Sequence, residues 1–336
     1  MRLTKDVPAI EARGVRKSYA SAAAEDRPAL DGFELSVPAG SVHGLLGPNG
    51  AGKTTALRIM ATLLDPDEGE VRVAGLDVAR QGWQVRRRIG LVGQYAAVDE
   101  ELSGMQNLVM FGRLSRLSPR AARARAGELL EQFGLAETGK KRISAYSGGM
   151  RRRLDLAAAL IVAPQILFVD EPTTGLDPAG RRDVWEAIRA LVRAGTTVLL
   201  TTQYLDEADQ LADDISLLAR GRIVAGGTPA QLKAQIGDDW LDLTPRVQAD
   251  TPRIKQLVEP WASGEIHEID GHVQVPVLER TSSLLGAAAA LHGAGIELDD
   301  LTIRSPSLDE VFIQLTGDAA TDRSGAATSQ TEGAPA

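Results

Sequence analysis

Short apolar runs recur along the first two thirds of the chain, and each stops abruptly at a glycine, an amide or an acid. Residues 41–46, 89–92, 166–169 and 197–201 are too short for helices and too continuously apolar for strands wetted on one face. Each therefore predicts a strand buried on both sides. Residues 7–19 alternate instead, with Ile10, Ala12 and Val15 against Glu11, Arg13 and Arg16. With 33–37 and 70–75 they predict antiparallel strands opening the chain. Residues 101–135 turn helical. Ser103 or Gly104 starts one helix through Leu114, and Ser118-Pro119 starts the next with proline at its first position, closed by Phe133-Gly134. Further helices are predicted after residue 56, at 154–163, 179–194 and 229–236, and a hairpin at 214–225 around Arg220-Gly221.

Near Gly237 the composition changes. Residues 238–317 hold short strands at 240–243, 266–269, 273–277 and 296–304, an alanine-rich helix at 282–292 and a last short helix opened by Pro306-Ser307. The pattern predicts an α/β first domain over 1–236, with a helical part at about 95–160, a small α+β domain over 237–317 and a disordered tail over 318–336 with nothing to bury.

Apolar content of 43% and charged content of 24% are ordinary for a globular chain. The net charge of −8 argues against a general nucleic-acid or anionic-membrane coat. The absence of cysteine excludes disulfides and thiolate chemistry. No stretch approaches the ~18 apolar residues of a membrane span, and the N-terminus lacks the apolar core of a signal peptide. A cytoplasmic protein is expected, whose membrane role would need a partner chain.

The chemistry gathers where the apolar runs stop. Gly47-Pro48-Asn49-Gly50-Ala51-Gly52-Lys53-Thr54, followed by Thr55, fits the phosphate-loop pattern without mismatch. Its glycines let backbone N–H groups turn inward onto phosphate oxygens, and the helix N-terminus adds its positive dipole end. Lys53 would reach the β- and γ-phosphates, and the Thr54 hydroxyl would ligate Mg²⁺. The run at 166–169 ends in Asp170-Glu171, placed to hold Mg²⁺ through water and to polarise an attacking water as general base. Ser147-Gly148-Gly149 before a helix is a second anion-binding geometry or only a cap. Arg151, Arg152 and Arg153 are read as a solvated helix face rather than a phosphate contact. Gln94 follows a strand and could orient Mg²⁺ or water, though alone it reads as a solvent-facing glutamine. Tyr19 is either an adenine platform or an ordinary strand-end tyrosine. His267, His272 and His292 lack metal-ligand spacing and are assigned to the surface.

Together these residues resemble the ATP-binding subunit of an ABC transporter. The phosphate loop, Tyr146-Ser147-Gly148-Gly149-Met150, the carboxylate strand and Leu176-Asp177 carry the resemblance, over about residues 7–236. It implies a phosphate-loop NTPase cassette: a mixed sheet core, an antiparallel β subdomain and a helical subdomain, with ATP and Mg²⁺ as ligands. It further implies that Tyr19 stacks on adenine, that Gln94 senses Mg²⁺ and the membrane partner, and that Asp177 lies in the loop facing a second copy. Two copies would form a head-to-tail nucleotide-sandwich dimer, Ser147, Gly148 and Gly149 of one meeting the γ-phosphate on the other.

Residues 201–209 and 306–312 look like the daunorubicin/doxorubicin-resistance branch of this family. Its members carry an extra C-terminal domain and pair with a separate ABC-2-type membrane permease. The implied function is ATP hydrolysis powering efflux of a hydrophobic drug, natural product or lipid, at the cytoplasmic face of the membrane and with no nucleic-acid partner. The extra domain is then expected to regulate or stabilise the cassette dimer. Two departures stand out. The signature begins with Tyr146 and ends with Met150 rather than leucine and glutamine, and the switch position, usually histidine, is Gln203. Glutamine hydrogen-bonds a phosphate or a water but carries no proton as imidazolium does, so Glu171 is assigned the base work and Gln203 a positioning role. One rival is a soluble ABC-type ATPase acting on nucleic acid or ribosomes, disfavoured by the single cassette and the lack of sustained heptads. The other, prompted by Gln203, is a nucleotide-gated regulator with little turnover.

Overall fold

The computed structural model describes residues 7–19, 28–94, 97–235, 239–269, 271–308 and 310–312. The expected loop at 20–27 and tail at 318–336 lie outside them. The chain divides into two compact units at Thr228/Pro229, so the helix expected to finish the first domain groups with the second.

The first unit holds two sheets. Strands β1 (Ile10–Lys17), β2 (Leu30–Val37), β4 (Glu68–Val73) and β5 (Leu76–Asp77) form an antiparallel sheet in the order β2-β1-β4-β5. The alternation in β1 is broken at Gly14, whose φ of 58° accompanies a register shift between Ala12 and Val15. The second sheet orders β10-β9-β3-β8-β7-β6. Here β3 is Val42–Leu46, β6 Ile89–Val92, β7 Ile166–Asp170, β8 Thr197–Thr202, β9 Asp214–Ala219 and β10 Arg222–Gly227. All neighbours pair parallel except β9 with β10, which form the expected hairpin.

Every residue of β3, β7 and β8 is buried, as continuous apolar runs require; the same expectation fails for β6, where Leu91 is 37% exposed because β6 ends the sheet and one side of it is uncovered. In β7, Phe168 packs into one core with Ile10, Phe33 and Ile59. Leu167 and Val169 face the other, with Leu129, Ile143, Leu154 and Ile188. The helices supplying those cores are α1 (Lys53–Met60), α3 (Gly104–Leu114), α4 (Pro119–Gln132), α5 (Gly148–Ala159) and α6 (Pro178–Arg193). The short helices α2 (Gly82–Arg86) and α7 (Leu205–Leu211) were not expected, because one or two turns leave too few apolar positions to establish a period.

The second unit opens with α8 (Pro229–Ala234) and builds an antiparallel sheet in the order β12-β13-β11-β14. These strands are β11 (Asp239–Pro245), β12 (His267–Ile269), β13 (His272–Val277) and β14 (Leu298–Arg304). Leu241, Leu243, Val273 and Val275 pack against α9 (Thr251–Val258) and α10 (Arg280–Gly293) through Ile254, Val258, Ala287 and Leu291. Helix α9 is a further element the apolar pattern did not show. The turn after β14 carries a reciprocal cap: Ser307 N–H donates to Glu310 Oε2 at 2.9 Å and Glu310 N–H to Ser307 Oγ at 3.2 Å. His267, His272 and His292 are exposed.

Candidate functional site

The parallel pairing decides which strand ends meet. Leu46 registers with Thr202, Thr201 with Asp170, and Val169 with Val92. The phosphate loop, Gln203, Glu171 and Gln94 therefore leave four adjacent strands at their carboxyl ends, where open α/β sheets bind ligands.

Gly47 and Gly52 are required by space. A Cβ at Gly47 would strike the Leu218 carbonyl, and one at Gly52, where φ is 110°, would strike the Ala29 carbonyl. Lys53 opens α1 and is 6% exposed. Its Nζ donates to the Gly47 carbonyl at 2.6 Å and the Pro48 carbonyl at 3.2 Å. Burial lowers its pKa, while the Glu171 and Asp170 carboxylates oppose that shift, which places both acids within electrostatic reach of the ammonium. Thr54 is exposed beside it. Tyr19, 52% exposed, comes to the same helix through a 3.3 Å contact between its hydroxyl and that of Thr55.

Asp170 is 8% exposed and one carboxylate oxygen accepts from the Thr201 hydroxyl on β8. Glu171 follows with φ at 46°, in the left-handed region that L side chains rarely adopt. Its N–H continues the pairing onto the Thr201 carbonyl at 2.9 Å. Its Oε2 accepts from the Thr174 hydroxyl at 3.1 Å and from Gln94 Nε2 at 3.5 Å. Gln203 is exposed at the end of β8.

A second group sits apart. Ser147 caps α5, accepting from Met150 N–H at 3.3 Å. Gly149 packs against α6, where its Cβ would lie 3.3 Å from the Gly180 Cα, and Gly148 faces Leu176. Asp177 caps α6 by accepting from Gly180 N–H at 3.1 Å. Among the described residues no hydrogen bond joins this group to the phosphate loop or the two carboxylates. The candidate residues thus fall into two groups: Tyr19, the phosphate loop, Gln94, Asp170 and Glu171 in one, Ser147, Gly148, Gly149 and Asp177 in the other.

The expectation of a solvated arginine face is overturned at Arg152. Arg151 pairs with Glu100 at 2.9 Å, and Arg153 donates to the Phe133 carbonyl at 3.2 Å and lies 3.5 Å from Asp183. Arg152 is 8% exposed and binds carbonyls on the loops of Gln94 and Glu171. Arg151 and Arg153 keep part of their surface in solvent, but α5 touches α3, α4, α6 and β6, and the face carrying Arg152 is interior. Also unread from the sequence were Thr201 and Thr174, which orient the two carboxylates, and Glu207 on α7. Glu207 is buried, accepts from Trp185 Nε1 at 3.4 Å, and has its pKa raised by that burial.

The family described as ABC transporter matches residues 30–174. The daunorubicin resistance ATP-binding protein DrrA3 of Streptomyces coeruleorubidus is 54% identical over 310 residues, 92% of this chain and 96% of that one. The doxorubicin resistance ATP-binding protein DrrA of Mycobacterium tuberculosis is 45% identical, covering 94% and 96%. The Nod factor export ATP-binding protein I of Rhizobium meliloti is 38% identical, covering 93% and 89%. Among solved structures, the cassette MJ0796, a dimer in a post-hydrolysis state with ADP and Pi, superposes with a TM-score of 0.59 at 26% identity. It covers 65% of this chain and 98% of its own.

Proposed function

This chain belongs to the ATP-binding proteins of ABC transporters, and from that membership we propose that two copies close head to tail on two ATP molecules and drive a separate ABC-2-type permease. It is an ATP-hydrolysing subunit of an exporter. The cargo is a hydrophobic drug, natural product or lipid, in line with relatives named for daunorubicin and doxorubicin resistance and for Nod factor export. Among the described residues no helix is long and apolar enough to cross a membrane, and we place the chain at the cytoplasmic face, held there through the permease.

The separation of the two groups carries this reading. Ser147 and Gly148 are exposed at a capped helix N-terminus to which, among the described residues, the phosphate loop of the same chain makes no hydrogen bond, so a second copy is the natural source of one that does. Within the other half, Lys53 neutralises the β- and γ-phosphates, the phosphate-loop N–H groups cradle them, and Tyr19 lies beside the adenine. Thr54, Asp170 and Gln94 offer hydroxyl, carboxylate and amide oxygens, a hard donor set that fits Mg²⁺. When bound, Mg²⁺ supplies charge neutralisation on the transferring phosphoryl group. Glu171 takes the proton of the attacking water, and Gln203 aligns water or phosphate without exchanging a proton. The second unit is proposed to regulate or stabilise the dimer.

Steady-state phosphate release tests the assignment. Glu171→Gln should lose about 100-fold or more, the range of general base catalysis, and Gln203→Ala about tenfold by loss of one positioning bond. Wild-type turnover in Glu171→Gln beside a dead Gln203→Ala would reverse the two roles. Sustained turnover by the native protein rules out a pure nucleotide sensor.

A further inference from the structure

Helix α5 carries Ser147 at its cap and Arg152 about one and a half turns further on. A guanidinium has five N–H donors, and here all five have acceptors. Nε donates to the Pro172 carbonyl at 2.9 Å. Nη1 donates to the Gly93 carbonyl at 2.6 Å and to Asp155 Oδ2 at 3.4 Å. Nη2 donates to the Asp170 carbonyl at 2.9 Å and the Glu171 carbonyl at 3.3 Å. One turn along the same face, Asp155 Oδ1 accepts from Ala97 N–H at 2.9 Å.

The helix therefore grips residues 93 and 97 on either side of Gln94, and the main chain from 170 to 172 around Glu171. That main chain is held in a left-handed conformation at Glu171, which persists only when its surroundings over-determine it. A rigid helix delivers a displacement of its N-terminus to a side chain about 7.5 Å along its axis. A guanidinium with every donor engaged cannot follow without moving its acceptors or losing bonds.

We infer that Arg152 is a positioning residue for hydrolysis, transmitting the seating of Ser147 on a partner copy's nucleotide to Glu171 and Gln94 of its own site. The inference rests on the head-to-tail reading above and gives that dimer a physical route between its two sites. Buried and with its donors taken up by the protein, Arg152 has none left for a nucleotide. Its effect falls on the chemical step rather than on binding.

The test uses the purified full chain and three measurements: affinity for a fluorescent ATP analogue, ATP-driven dimerisation in a Glu171→Gln background, and steady-state phosphate release. Arg152→Gln should lower kcat tenfold or more and leave affinity and dimerisation within twofold. Arg152→Lys, with three donors for five acceptors, should restore only part of kcat. Should Arg152→Gln lose its native melting transition, Asp155→Asn reads the same device from its other end. A carboxylate accepts from both Ala97 N–H and Arg152, whereas an amide has one accepting atom and must release one of them. That variant should lose at least threefold in kcat at unchanged affinity. A kcat within twofold of wild type in the folded Arg152→Gln protein, or unaltered in Asp155→Asn, overturns the transmission alone. Failure of Glu171→Gln itself to dimerise with ATP overturns the head-to-tail reading and the transmission with it.

Discussion

Glu171 occupies a conformation its own side chain disfavours. With φ at 46°, an ordinary residue there costs about 1 kcal/mol or more relative to glycine. Three attachments hold it: its N–H on Thr201, its carbonyl on Arg152 and its carboxylate on Thr174 and Gln94. The left-handed turn lets Asp170 stay buried against Thr201 while the next side chain faces Gln94, so two adjacent acids point into different surroundings. Glu171→Gly should therefore trade activity for stability, abolishing phosphate release while melting no lower than wild type in calorimetry. A clear drop in melting temperature would show that the carboxylate's bonds outweigh the backbone strain. Lys53 is the converse case. Its ammonium is satisfied by carbonyls of its own loop, which keeps a buried cation tolerable beside the two carboxylates.

At the scale of elements, the helical part is set by close approach. Helices α3 and α4 are joined by a short turn, and Gly112 sits so near Ala122 that a Cβ would lie 2.9 Å from the Ala122 side chain and 3.3 Å from its Cα. Both helices begin with serine caps, Ser103 in a full capping box with Gln106 and Ser118 accepting from Ala121 N–H. Gly112→Val forces the pair apart and should cost about 1–3 kcal/mol in denaturant unfolding. Because neither helix supplies a residue to the phosphate loop, the nucleotide analogue should bind the folded variant with unchanged affinity. Helix α5 shows the opposite economy: three successive arginines, 100° apart around the axis, each tie it to a different neighbour. A run that reads as solvated from charge alone is a set of three separate anchors.

For the molecule as a whole, His43 links stability to pH. It lies 5% exposed in β3, bonded through Nε2 to the Ser216 hydroxyl at 2.9 Å. Burial lowers its pKa from 6.5 to about 4, against a smaller opposing effect of Asp214. The unfolded chain thus binds the proton that the folded chain refuses between those values, so stability is complete above pH 6.5 and falls as pH drops towards 4. The 6.5-to-4 interval corresponds to about 3 kcal/mol. Urea unfolding from pH 7 to 4 should show this slope, and His43→Gln, neutral throughout, should flatten it; an unchanged slope would assign the acid sensitivity elsewhere. Of the architecture, the sequence by itself determined the buried strands β3, β7 and β8, the helix caps and the phosphate loop, because apolar period, Ser-Pro starts and glycine spacing are local properties. It also marked Asp170, Glu171 and Ser147 as chemistry-bearing, since each closes a run or opens a helix. Only the tertiary structure decided that Gln94, Gln203 and the acids leave neighbouring strands, that Ser147 and Asp177 cap two helices packed on each other, and that Arg152 is interior. Those facts depend on strand order and on what packs across from each face. Residues distant in the chain set both, and no local pattern encodes them.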